Sequence, residues 1–193
     1  MIKKETKIYF NQISQTINQL SAGNIKRAVE AIYQAYLKNK YIFIMGNGGS
    51  AATASHFACD LSKSTFSLQY NKKEKRRFKV ISLTDNIALI TAWSNDSNYD
   101  QIFVQQLENL LKKDDVVIGI SVSGNSPNII KAIELAKKRK AVTIGLVGFR
   151  GGRLAEITDI NITTKINRYD VSEDVHLILT HLITRHFFEK INK

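Results

Sequence analysis

Cysteine, proline and tryptophan are nearly missing from this 193-residue chain, which holds one of each. A single cysteine, Cys59, cannot close an intrachain disulfide, so a secreted scaffold stapled by disulfides is excluded and a reducing cytoplasm is the expected compartment. One proline leaves little to interrupt helices and strands. No apolar run approaches the roughly 20 residues that cross a bilayer. The basic opening MIKKETK leads into polar NQISQTINQ instead of the apolar centre of a signal peptide. Acidic residues are the scarcer charge: 17 Asp and Glu against 28 Lys and Arg leave +11. That excess admits nucleic acid, a membrane surface or an anionic small molecule as partner.

What is present is an ordinary globular composition, 44% hydrophobic and 23% charged, in a length suited to one domain spanning residues 1–193. Residues 1–40 read as helix, with Ile13, Ile17 and Leu20, then Ile25, Val29, Ile32, Tyr36 and Leu37 at helical spacing around Gly23. From residue 41 five short apolar runs follow: 41–45, 78–83, 115–120, 142–147 and 159–163. Helical patterns at 50–62, 98–112 and 126–139 separate them, and a long helix is expected over 172–190. Strands alternating with helices predict an α/β fold built on a parallel sheet, most simply doubly wound. Ser126 and Pro127 form a cap and first-turn pair for the third of these helices.

Two loops can hold an anion. GNGGS, residues 46–50, follows the first strand and opens a helix, where backbone N–H groups and the helix N-terminus favour negative charge. SVSGNS, residues 121–126, does the same after the third strand and adds three serine hydroxyls. Neither has the Lys of a Walker loop or the GxGxxG of a dinucleotide loop, so a sugar monophosphate suits them better than a nucleotide. Each also reads, taken alone, as a tight turn or helix cap.

His56 and Asp60, four apart on the helix after GNGGS, share one face and can bind a divalent cation, exchange protons, or form a simple hydrogen-bonded pair. Cys59 lies near that face and can serve as a further ligand, but an unpaired cysteine reads first as a small buried hydrophobe. The last helix carries His176, His181 and His186 at five-residue steps, about 140° apart, so they cannot form one ligand stripe. Glu173 and His181 are separated by roughly 12 Å along that helix, too far to share one ion directly within a subunit.

GNGGSAATASHF, SNDSNYD, GISVSGNSPN and HLILTH, in this order and spacing, together resemble the bacterial phosphoheptose isomerases of the sugar isomerase (SIS) family. The likeness runs from about residue 41 to 181. It implies a three-layer α-β-α domain with a five-stranded parallel sheet, N-terminal helices used in oligomer packing, and a homotetramer with interfacial active sites. The activity implied is interconversion of sedoheptulose 7-phosphate and an aldose heptose 7-phosphate through an enediol, serving lipopolysaccharide or capsule. By the same resemblance, Asn47, Gly48, Gly49, Ser50, Asn95 and Asp96 contact the sugar, and Ser121, Val122, Ser123 and Ser126 hold its phosphate. His56, Asp60, Glu173 and His181 occupy positions that bind zinc or move protons, with Asp60 as the catalytic carboxylate, His181 as its partner and Glu173 also touching substrate. Three positions depart from the family pattern: Asp60 stands for a Glu, Glu173 for a Gln and Val122 for a Thr.

A non-catalytic SIS relative, either a phosphosugar sensor or a replication-initiator adaptor, is the alternative. Retention of His181 argues against an adaptor, and no helix-turn-helix accompanies the domain. Nucleic-acid binding rests only on the basic loop at residues 71–79, which carries +5 and lacks stacking aromatics. The expectation is that this loop stands near the site entrance and steers an anionic substrate.

Overall fold

The computed structural model describes residues 1–66 and 76–192. Two helices, α1 (Ile2–Asn18) and α2 (Ala22–Leu37), precede strand β1 (Tyr41–Gly46). Next come α3 (Gly49–Cys59), a π-helical turn (Asp60–Ser64), β2 (Lys79–Ser82), α4 (Ile87–Asp96), a 3-10 turn (Tyr99–Gln101) and α5 (Val104–Leu110). The chain continues through β3 (Val116–Ser121), α6 (Pro127–Lys138), β4 (Val142–Gly148), α7 (Gly152–Ile157), β5 (Ile160–Thr164) and α8 (Tyr169–Ile191). The five strands are all parallel, in the order β2-β1-β3-β4-β5.

Alternation along the strands divides the core into two layers. Ile42 and Ile44 of β1 face Ile32, Phe57 and Val175 of α2, α3 and α8, while Phe43 and Met45 face Leu107, Ile129 and Ile133 of α5 and α6. Burial on both faces explains why the strands read as continuous apolar runs. The chain leaves β1 for β2 on one side and returns to β3 on the other, so the order reverses between β1 and β3. Ligands of open α/β sheets bind at that point, outside the strands' carboxyl ends. Both anion loops leave from it.

Five expected strands are present within one or two residues. The helix expected at 98–112 is divided into the 3-10 turn and α5, and the last helix starts three residues early, at Tyr169. Helices α4 and α7 were not expected. Cys59 is exposed, which corrects its reading as a buried hydrophobe: Phe57 and Ala58 take the core-facing positions of α3. Of the basic loop, residues 71–75 lie outside the described residues. Arg76 donates from Nη1 to the carbonyls of Tyr36 and Leu37, and the Arg77 guanidinium lies 3.8 Å from the Phe66 ring centre. These anchors are at the amino end of the sheet, because β2 begins at Lys79 and every strand runs the same way. Within one chain, Arg76, Arg77 and Lys79 are therefore remote from the anion loops, contrary to the expected place at the site entrance.

Candidate functional site

The loop after β3 places its serines around one point. Ser121 Oγ is 3.1 Å from Ser126 Oγ and 3.4 Å from Ser123 Oγ. Ser126 occupies the cap position of α6 but makes no side-chain cap bond, so its hydroxyl is turned to the other serines. Val122 is buried and contributes backbone, its carbonyl accepting from Gly148 N. Together with Asn47, Ser50, Tyr169 and Glu173, these residues line a cavity of about 190 Å³.

Asn47 and Asn128 join the two loops by a reciprocal pair of amide hydrogen bonds, 3.0 and 2.9 Å long. Tyr99 Oη donates to Asn47 Oδ1 at 3.2 Å. Neither Asn128 nor Tyr99 was singled out in the sequence, although both fall in quoted motifs, SGNSPN and SNDSNYD. Asn95 and Asp96 of the latter motif are exposed at the end of α4, bonded to each other (2.8 Å), and do not line the cavity. Gly48 is exposed in the turn before α3.

Helices α3 and α8 lie side by side and run in the same direction. Gly49, the first residue of α3, faces Glu173, and His56, two turns on, faces His181. A Cβ at Gly49 would stand 2.6–2.7 Å from the Glu173 carboxylate, so only glycine admits this approach. Glu173 makes no hydrogen bond or ion pair among the described residues and lines the serine cavity.

At the other end of the pair, His56 Nε2, His181 Nε2 and Asp60 Oδ2 converge. The two nitrogens are 2.8 Å apart, and the carboxylate oxygen is 3.2 Å from the first and 3.9 Å from the second. A point about 2.0 Å from all three lies within that triangle, the length of a zinc bond to imidazole nitrogen or carboxylate oxygen. Two imidazoles and a carboxylate are also a donor set that zinc favours. Asp60 opens the π-helical turn, a feature frequent at functional sites. The His56 and His181 side chains are 47% and 53% exposed, so the group opens to the surface. Glu173 is not part of this group, as its spacing from His181 requires.

His176 plays a different role. It is buried, donates from Nε2 to Val147 O at 3.2 Å, and its pKa is pulled down from 6.5 to about 4 by burial. His186 sets its ring edge-on to Phe187 and joins neither cluster.

A SIS domain family model matches residues 8–148. The phosphoheptose isomerase of Helicobacter pylori is 34% identical over 194 residues, covering 98% of this chain and 97% of its own length. Among solved structures, the phosphoheptose isomerase GmhA from Neisseria gonorrhoeae superposes with a TM-score of 0.87 at 26% identity, covering 97% of this chain and 98% of that one. A phosphoheptose isomerase from Francisella tularensis gives 0.88 at 26%, covering 97% and 96%. With the serine loop, the Gly49–Glu173 approach and the His56–Asp60–His181 group in place on this fold, the chain belongs to the SIS domain family, among the phosphoheptose isomerases.

Proposed function

We propose that the protein is an aldose-ketose isomerase that converts sedoheptulose 7-phosphate to D-glycero-D-manno-heptose 7-phosphate, for surface polysaccharide. The observation that carries this reading is the alignment of two chemistries along α3 and α8. The serine cavity sits by the first turn of α3, and the His56–Asp60–His181 group about 10 Å along the helix, seven residues at 1.5 Å each. A phosphate ester at one end of an extended seven-carbon chain and a carbonyl at the other fit such a separation.

In this reading the two carboxylates divide the work. Asp60 is held between two imidazoles and, with His56 and His181, would hold zinc. Bound zinc would supply Lewis-acid stabilisation of negative charge developing on the sugar oxygens. Glu173 lines the serine cavity, about 12 Å along α8 from His181, so it touches the substrate near the phosphate, while Asp60 stands at the carbonyl end and is the residue placed to move the proton. It takes the proton from the carbon next to the carbonyl and returns it to the former carbonyl carbon, while the hydroxyl proton passes between the neighbouring oxygens. This assignment keeps Asp60 as the base and His181 as its partner, and gives Glu173 a substrate contact. Ser121, Ser123 and Ser126 fix the phosphate and so the register of the reacting carbons.

The chain is also expected to assemble with itself, as a homotetramer whose sites are completed at interfaces. Phe10 of α1 is 63% exposed, and Ile178 and Leu182, beside His181 on α8, are 40% and 51% exposed. Among the described residues no helix is long and apolar enough to cross a membrane.

The test follows sedoheptulose 7-phosphate by NMR with and without chelator. Turnover that chelator abolishes and zinc restores is expected; no turnover in any metal condition overturns the reading. Glu173→Gln, which restores the family residue, should leave kcat within about tenfold, less than the loss of a proton-transfer group, with zinc content unchanged. Asp60→Asn should lose zinc as well as activity.

A further inference from the structure

A second, larger cavity of about 860 Å³ adjoins the phosphate loop on the side away from α3. It opens beyond the carboxyl ends of β4 and β5 and is lined by Asn125, Phe149, Arg150, Thr163, Lys165 and Asn167 among others. No carboxylate lines it. The neighbouring cations Arg153 and Arg168 are each matched by an acid, Glu156 and Asp170. Arg150 and Lys165 have no such match and make no hydrogen bond among the described residues. Two unmatched cations with amide and hydroxyl groups between them constitute an anion-binding wall.

The remaining wall is apolar. Phe149 and Ile166 line it, and the Phe149 ring is fixed edge-on against Tyr169 with centres 4.9 Å apart. Phe149 has φ +50°, a left-handed conformation uncommon for a bulky residue and frequent where a side chain is held for a purpose. The volume falls in the range of small-molecule sites, about 300–1,000 Å³. The loop between this cavity and the serine cavity, whose Ser123 lines both, is locked to α7. Gly124 O accepts from Leu154 N (2.8 Å), and Asn125 Oδ1 accepts from Arg153 N (3.0 Å). A Cβ at Gly124 would stand 1.9 Å from Gly151 O, so the two loops admit no spacer.

We propose that this cavity is a second ligand site, for an organic phosphate carrying a ring, the chemistry of a nucleotide. Phosphate oxygens meet Arg150 and Lys165, and the ring packs on Phe149 and Ile166. The site adjoins the sugar-phosphate cavity, with Ser123 lining both, and takes a ligand of its own.

The test is calorimetric titration of the whole protein with ADP, inorganic phosphate and adenosine as probes. Saturable binding of ADP is expected, tighter than either fragment and retained in excess sedoheptulose 7-phosphate. Arg150→Gln/Lys165→Gln should weaken it at least tenfold without changing isomerase turnover. Phe149→Ala should bring ADP close to inorganic phosphate. Absence of ADP binding, equal binding by the double variant, or complete displacement by the sugar phosphate would each overturn the proposal. Inorganic phosphate binding as tightly as ADP would overturn the ring's part in it.

Discussion

At the scale of single residues, charge and hydrogen bonding decide roles that sequence spacing leaves open. Four-residue spacing was enough to put His56 beside Asp60, and eight-residue spacing enough to keep Glu173 from the His56–Asp60–His181 group. The sequence could not show that Glu173 would find Gly49, since that contact joins residues 124 positions apart. Three histidines on one helix read alike, yet α8 buries only His176. Its neutral form donates to Val147 O while Nδ1 has no partner, so protonation is disfavoured in the folded state. Because its pKa falls from 6.5 to about 4 on folding, the unfolded chain binds the extra proton first as pH drops. Stability is therefore full above pH 6.5, is lost through the window down to 4, and is down by about 2 kcal/mol at pH 5. Urea unfolding at pH 7 and pH 5 should show this loss, and His176→Gln should remove most of the difference between the two. Gly49→Ala has a separate, local effect: it displaces the Glu173 carboxylate and should raise the KM for the sugar phosphate while leaving the metal content of the protein unchanged.

At the scale of elements, what was legible followed from burial. The five strands are buried on both faces and could be read from apolar runs alone. Helix α4 could not, because none of its residues is fully buried and only Ile90 and Trp93 pack against the core, too short a stripe to show a period of 3.6. Its one signal was Asn86, whose side chain accepts from Leu89 N as the cap. Helix α6 shows the opposite case. Ser126 and Pro127 marked its start correctly, yet the serine spends its hydroxyl on Ser121 and not on the helix. Ser126→Ala should accordingly change stability by no more than about 0.5 kcal/mol, the range of a substitution outside the core and caps, while raising the KM for the sugar phosphate severalfold. A fall in the thermal midpoint with unchanged KM would show that Ser126 is a cap after all. The Asn47–Asn128 pair has the wider reach, since it ties the loops after β1 and β3. Asn128→Ala leaves the Asn47 amide half-satisfied at a half-buried position, at a cost of about 1 kcal/mol, and should loosen both loops together.

For the molecule as a whole, the +11 charge is spread between structure and ligand capture. Arg76 binds α2 carbonyls and acts on stability, while Arg150 and Lys165 stand unmatched at a cavity. Exposed apolar residues sit where the His56–Asp60–His181 group opens to the surface. Ile178 and Leu182 are one turn apart on α8 and flank His181, which is itself half exposed. A second copy covering this face would bury them, exclude water from His56, Asp60 and His181 and strengthen every electrostatic interaction in the site. Phe10 on α1 lies on a different helix and far along the sequence from the ligands. The two faces can thus be separated experimentally. Leu182→Asp should reduce both the oligomer mass, measured by light scattering, and turnover per chain. Phe10→Asp should reduce the mass while the smaller species keeps its zinc, and any turnover it retains measures how far one interface suffices. If Leu182→Asp leaves a smaller species with full activity, the site is complete within one chain and the exposed α8 face serves another purpose.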